Sequence, residues 1–74
     1  MRKKDVYNFV KNYEIAQGRK KPGSETAIRK IIGAELGITA AAVWMWPEVV
    51  PKSRAFELYV WSGGNIPLNE SDYA

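Results

Sequence analysis

The side chains best suited to chemistry in this sequence are basic. Lys20 and Lys21 stand in a run with Arg19, and Arg29, Lys52 and Arg54 follow. Ammonium and guanidinium groups of this kind hold phosphate oxygens through charge-assisted hydrogen bonds. Ser24 stands where a helical pattern begins, and the backbone N–H groups at such a start are further anion donors. A second group, Thr39, Ala40, Ala41, Trp44 and Met45, is mostly apolar. A threonine there can bond a phosphate or a base edge, and alanines can pack on thymine methyl groups. Tryptophan and methionine offer apolar contact, and the indole N–H can reach a phosphate. The chain contains no histidine and no cysteine. Disulfides are excluded, and no zinc site is expected from the residues that remain. The hydroxyls and carboxylates are scattered without a base or nucleophile partner, so no catalytic constellation is present. The expectation is a protein that is not an enzyme, with no metal, no cofactor and no small-molecule substrate.

Charge is placed unevenly along the 74 residues. Residues 1–30 hold nine Lys or Arg against three acids, a net of +6, whereas residues 31–74 hold two against five, a net of −3. A basic half on a small domain points to a polyanionic partner. No stretch approaches the roughly 20 apolar residues of a membrane span. The basic start is interrupted by Asp5, Asn8, Lys11 and Asn12, unlike a signal peptide. A soluble, cytoplasmic protein is expected, with no membrane partner.

The elements that must position these groups can be read from periodicity. Asp5 is an expected N-cap for a first helix over about 6–17, with Val6, Phe9, Val10 and Tyr13 on one face and Gly18 ending it. Residues 17–23 form a loop with two glycines, a proline and three consecutive bases. Ser24 caps a second helix over 25–36, with Ile28, Ile31, Ile32 and Leu36 as its stripe. Thr39 caps a short third helix over 40–46, stopped by Pro47. Pro51 suits the start of a fourth helix over 51–61, ended by Gly63 and Gly64. This predicts one all-α domain of four helices over residues 1–64. Residues 65–74 are expected to be a tail, either disordered or packed as an arm. Arg2, Lys3 and Lys4 are expected to be a mobile tail.

The second and third helices read as a helix-turn-helix. Such a motif needs a small residue where its helices cross, and Gly33 occupies that place. It needs a positive φ in the turn, which Gly37 supplies. It needs apolar residues beneath both helices, and Ile32, Leu36, Ile38, Val43 and Trp46 stand there. Phe56, Leu58 and Tyr59 are expected to join the core or a dimer surface. The second helix of such a motif normally lies in the DNA major groove.

The segment Gly23-Ser24, Leu36-Gly37-Ile38-Thr39, Ala42-Val43, Trp46, Val50-Pro51, Arg54-Ala55, Leu58 and Gly63-Gly64 resembles phage Cro-type repressors and their prophage relatives. The resemblance covers about residues 23–65. It implies a small helical DNA-binding domain that docks on operator DNA in a bacterial host cell, as a homodimer on a palindrome, and represses transcription. The chain departs from the pattern in two places. It has about one extra turn, or a longer connection, before Leu36-Gly37. Positions that commonly carry polar base readers are Ala40, Ala41, Trp44 and Met45.

On this reading the DNA-binding residues are Lys20, Lys21, Ser24, Arg29, Thr39, Ala40, Ala41, Trp44, Met45, Lys52 and Arg54, and the partner is double-stranded DNA. Affinity would come mainly from phosphates and specificity from DNA shape and dimer spacing. Arg54 could equally pair with Glu57 or Glu48. The competing expectation is a helix-turn-helix-shaped protein-interaction module, an antirepressor or a regulator of a host protein, that uses the Trp44/Met45 surface on a protein.

Overall fold

A computed structural model describes residues 1–73. Four α-helices follow one another: α1 over Lys3–Ala16, α2 over Glu25–Leu36, α3 over Ala40–Trp44 and α4 over Lys52–Trp61. A short 3-10 helix over Glu70–Tyr73 closes the described chain. Among the described residues the only extended pairing is an isolated antiparallel bridge between Arg2 and Val49. The domain is all-α, as its periodicity predicts. Among the described residues no helix is long and apolar enough to cross a membrane.

The first helix starts earlier than Asp5 predicts. Arg2 is the N-cap, and Asp5 lies inside the first turn, where its charge faces the positive end of the helix dipole. The reason is a tertiary contact that local capping rules cannot foresee. The Lys3 N–H donates to the Glu48 carbonyl at 2.8 Å, and the Val50 N–H donates to the Met1 carbonyl at 2.9 Å. These two bonds pin the start of the chain against the segment after α3. Residues 1–4 are therefore an ordered strap rather than a mobile tail, and Met1 is buried.

Val6 and Val10, four residues apart on α1, meet Ile28 and Ile32 of α2, Val43 of α3, and Ala55 and Leu58 of α4 in one core. Each large apolar side chain removed from water contributes about 1.5–3 kcal/mol before the ordering cost. Trp46, Leu36 and Ile38 pack against that core while half-buried. Phe9, Tyr13 and Trp61 add an aromatic cluster, with the Phe9 and Trp61 rings edge-on at 5.2 Å and Tyr13 tilted against Trp61 at 5.3 Å.

Residues 65–73 pack as an arm. Ile66 is fully buried in the core. The buried Ser62 hydroxyl donates to the Tyr59 carbonyl and accepts from the Ile66 N–H. Further on, the Tyr73 hydroxyl donates to the Val50 carbonyl at 2.6 Å. Of Phe56, Leu58 and Tyr59, Leu58 alone enters the core, while Phe56 and Tyr59 are 49% and 40% exposed on the surface.

Candidate nucleic-acid interface

The segment from α2 to α3 is built from three local devices. Ser24 has extended backbone, and its side chain accepts from the Ala27 N–H, capping α2. Gly37 ends α2 in the left-handed region at φ 71°, and its N–H donates to the Gly33 carbonyl. Thr39 repeats the Ser24 arrangement, accepting from the Ala42 N–H to cap α3. Each side-chain cap of this type contributes about 1 kcal/mol.

Gly33 is buried at the crossing. A Cβ built there would stand 2.5 Å from the Ile38 carbonyl oxygen and 3.2 Å from the Thr39 carbonyl carbon. Only glycine lets the turn lie that close to α2. The sequence-based account of Gly33 and Gly37 holds, with a different physical cause for each.

The third helix is shorter than predicted, ending at Trp44 rather than residue 46. The Met45 N–H still bonds to the Ala41 carbonyl, but the Trp46 N–H turns to the Val43 carbonyl and Pro47 has no N–H to give. The fourth helix starts at Lys52, with Pro51 as its N-cap. Val43 points into the core and is fully buried, while Trp44 and Met45 are 60% and 71% exposed. Thr39 and Ala41 are also exposed, and Ala40 is half-buried. The outer surface of α3 thus presents Ala41, Trp44 and Met45 beside the capping Thr39, with Ala40 only half-exposed, and it is mostly apolar.

Beside α3 lies an open cleft of about 500 Å³, lined by Lys3, Lys4, Tyr7, Glu25, Arg29, Trp44 and Glu48. It brings together two predicted DNA-binding residues, Arg29 and Trp44, with five that were not predicted to bind DNA, Lys3, Lys4, Tyr7, Glu25 and Glu48. Lys3 Nζ donates to the carbonyls of Trp44 and Trp46, each at 3.2 Å, so a lysine from α1 satisfies the open end of α3. The same ammonium lies 5.9 Å from the centre of the Tyr7 ring. Arg29 donates to the Thr26 hydroxyl at 3.2 Å and approaches the Tyr7 hydroxyl at 3.5 Å. Its guanidinium, 15% accessible, also lies 3.6 Å from the Glu25 carboxylate, which is 74% accessible. The signal for Lys3 and Tyr7 was their four-residue spacing, which stacks them on one helix face once α1 begins at Lys3.

The other predicted residues are distributed elsewhere. Lys20 and Lys21 are exposed in the loop between α1 and α2. Their neighbour Arg19 is held by Glu14 and lies over the Tyr13 ring. Lys52 lines a separate groove with Phe56, Leu68, Glu70 and Tyr73. Arg54 donates to both oxygens of Glu57 at 3.2 Å, the carboxylate pairing that its sequence position allowed. Among the described residues no cluster of side chains could hold a metal ion. The chain matches no protein-family model, no curated protein and no solved structure.

Proposed function

We propose that this protein is a sequence-specific DNA-binding transcriptional regulator, a Cro-like repressor of phage or prophage type, that seats α3 in the major groove of operator DNA as a homodimer. The observation that supports it is the junction of α2 and α3. Gly33 admits the Ile38 carbonyl, Gly37 takes the left-handed turn, Thr39 caps α3, and Val43 anchors its inner face. This leaves Thr39, Ala41, Trp44 and Met45 outside, with Arg29, Lys3 and Lys4 beside Trp44. A surface of that composition makes few hydrogen bonds to base edges. Phosphate contacts then supply most of the affinity, and sequence preference comes from thymine methyl groups, groove shape and half-site spacing.

The test is a titration with a duplex of about 20 base pairs, long enough for two half-sites, at several salt concentrations. The expected result is an affinity that falls with salt at a slope of about −0.9 per phosphate contacted. Absence of binding at low salt would reject the proposal. Changing both Lys20 and Lys21 to alanine should weaken binding to all sequences alike.

A second reading has one specific observation in its favour. All five residues of α3 are apolar, and the exposed Trp44–Met45 pair is the composition of a protein contact rather than of a base reader. On that reading the helix-turn-helix is a docking module for another protein, and duplex DNA leaves the amide signals of residues 39–45 unmoved.

A further inference from the structure

We infer that the cleft between the start of α1, the start of α2 and the end of α3 is a clamp for a phosphodiester of duplex DNA, with Lys4 as its mobile charge and Arg29 and Trp44 as its fixed walls. The inference rests on the proposal that α3 faces DNA, and it adds α1 to the contact surface.

Continuity is the first argument. Trp44 belongs to both surfaces: it is exposed on the outside of α3 and it lines the cleft. A duplex seated on α3 therefore passes its sugar–phosphate backbone over the cleft mouth. The second argument is the division of labour among the cations. Lys3 is committed to the Trp44 and Trp46 carbonyls, and Arg29 is oriented by Thr26 and Tyr7. Both are held in place, so little side-chain entropy remains to be lost when an anion arrives. Lys4 is exposed one residue further along α1, where its long stem can swing across the opening.

The third argument concerns the carboxylates. Glu25 and Glu48 also line the cleft, and both are exposed. The Glu25 side chain is 74% accessible and its bond to Arg29 is long, at 3.6 Å. A phosphate oxygen can take the place of that carboxylate on the guanidinium, because the Glu25 end of the pair lies largely in water and the contact is long. The phosphate offers bidentate geometry to the same fork. Tyr7 and Trp44 supply hydroxyl and indole N–H donors at the sides, together with apolar surface for the sugar.

The test compares salt slopes for one random-sequence duplex of about 20 base pairs. Four proteins are used: wild type, Lys4→Gln, Lys4→Arg and Lys30→Gln. Lys30 is exposed on α2 and does not line the cleft. Lys4→Gln is expected to make the slope shallower by about 0.9, the loss of one phosphate contact. Lys4→Arg should restore it, and Lys30→Gln should leave it unchanged. With a duplex selected for tight binding by the wild-type protein and carrying a neutral methylphosphonate at successive positions, one position per half-site should lose affinity, and Lys4→Gln should be indifferent to that position. If wild type binds and Lys4→Gln keeps the full slope, the clamp is wrong while the helix-turn-helix proposal stands. If wild type binds no duplex, both fall together. If millimolar inorganic phosphate shifts the amide signals of Lys4 and Tyr7 but the duplex does not, the cleft is a site for a free anion and the clamp is again wrong.

Discussion

The backbone of Gly33 in α2 faces the carbonyl oxygen of Ile38 so closely that a methyl group at 33 would stand 2.5 Å from it. Gly37, four residues on, has nothing within 4 Å of the equivalent position but sits at φ 71°. One turn thus uses two glycines for unrelated reasons, steric at 33 and conformational at 37. Gly33→Ala gains about 1 kcal/mol of helix propensity, yet it must push the Ile38–Ala40 backbone away. Overpacking of this kind costs about 1–3 kcal/mol, so a net loss of stability is expected. Gly37→Ala is expected to lose about 1–2 kcal/mol from the left-handed conformation. Asparagine separates the two causes, since it tolerates that conformation and enlarges the clash. Urea midpoints should rank Gly37→Asn above Gly37→Ala, and Gly33→Asn below Gly33→Ala.

Lys3 ties α1 to the open end of α3 through the carbonyls of Trp44 and Trp46. Lys3→Met keeps most of the stem and removes the donors. The expected loss is about 1 kcal/mol, the ordinary net value of such bonds near the surface. Hydrogen exchange should locate it. Amides of residues 43–46 are expected to exchange faster relative to global opening, while those of Ile28 and Ile32 follow the global stability alone.

Regular patterns were legible in this chain, and tertiary partners were not. The stripe Ile28, Ile32 and Leu36, the caps Ser24 and Thr39, and the glycines 33 and 37 all act locally. Their types and spacing therefore carried α2, the turn and the start of α3. The start of α1 was misread because Asp5 is a good local cap, whereas the deciding bonds run from Lys3 to Glu48 and from Val50 to Met1 across the molecule. The arm was ambiguous for the same reason: Ile66 has no periodic neighbours, and only the hydroxyl of Ser62 and the core around it fix its place. Among the residues that line the cleft, Arg29 and Trp44 stand out in the sequence by their types. Lys4 and Tyr7 emerged only once the true start of α1 placed them beside α3.

Acid should loosen the contact between the two ends of the chain. The Asp72 carboxylate accepts from the α-ammonium of Met1 at 2.9 Å, and Arg2 lies 3.3 Å from its other oxygen. The bond to the Met1 ammonium, aided by the charge of Arg2, holds the Asp72 carboxyl below its usual value of 3.8. A group depressed on folding contributes stability that is complete above the unfolded pKa. That contribution is lost as pH falls through the folded value. Stability is therefore expected to decline below about pH 4, and Asp72→Asn should remove that part of the decline while lowering stability near neutrality. At the alkaline end the sign reverses. Burial, and then the charge of Asp72, raise the neighbouring Tyr73 hydroxyl above its usual 10.0. Its contribution is complete below pH 10 and fades as pH rises through the folded value. Unfolding midpoints across pH for wild type, Asp72→Asn and Tyr73→Phe check both limbs.

Trp44 and Trp46 offer the sharpest separation of surface from core. They are two residues apart, yet Trp44 is 60% exposed on α3 while Trp46 packs against the core beyond the helix end. Trp44→Ala removes little buried area and places a better helix former in α3, so its stability is expected to stay within about 0.5 kcal/mol of wild type. Trp46→Ala leaves a void beside Val43 and should cost about 2–4 kcal/mol, somewhat less than a fully buried tryptophan. Duplex binding should respond in the opposite order at a temperature where both variants are folded. Trp44→Ala is expected to weaken it at least tenfold, because the indole bridges the outer face of α3 and the cleft beside it. Trp46→Ala should bind nearly as wild type once its folded fraction is taken into account. Equal losses of affinity with intact folding would place both indoles on the interface and refute the orientation of α3 described above.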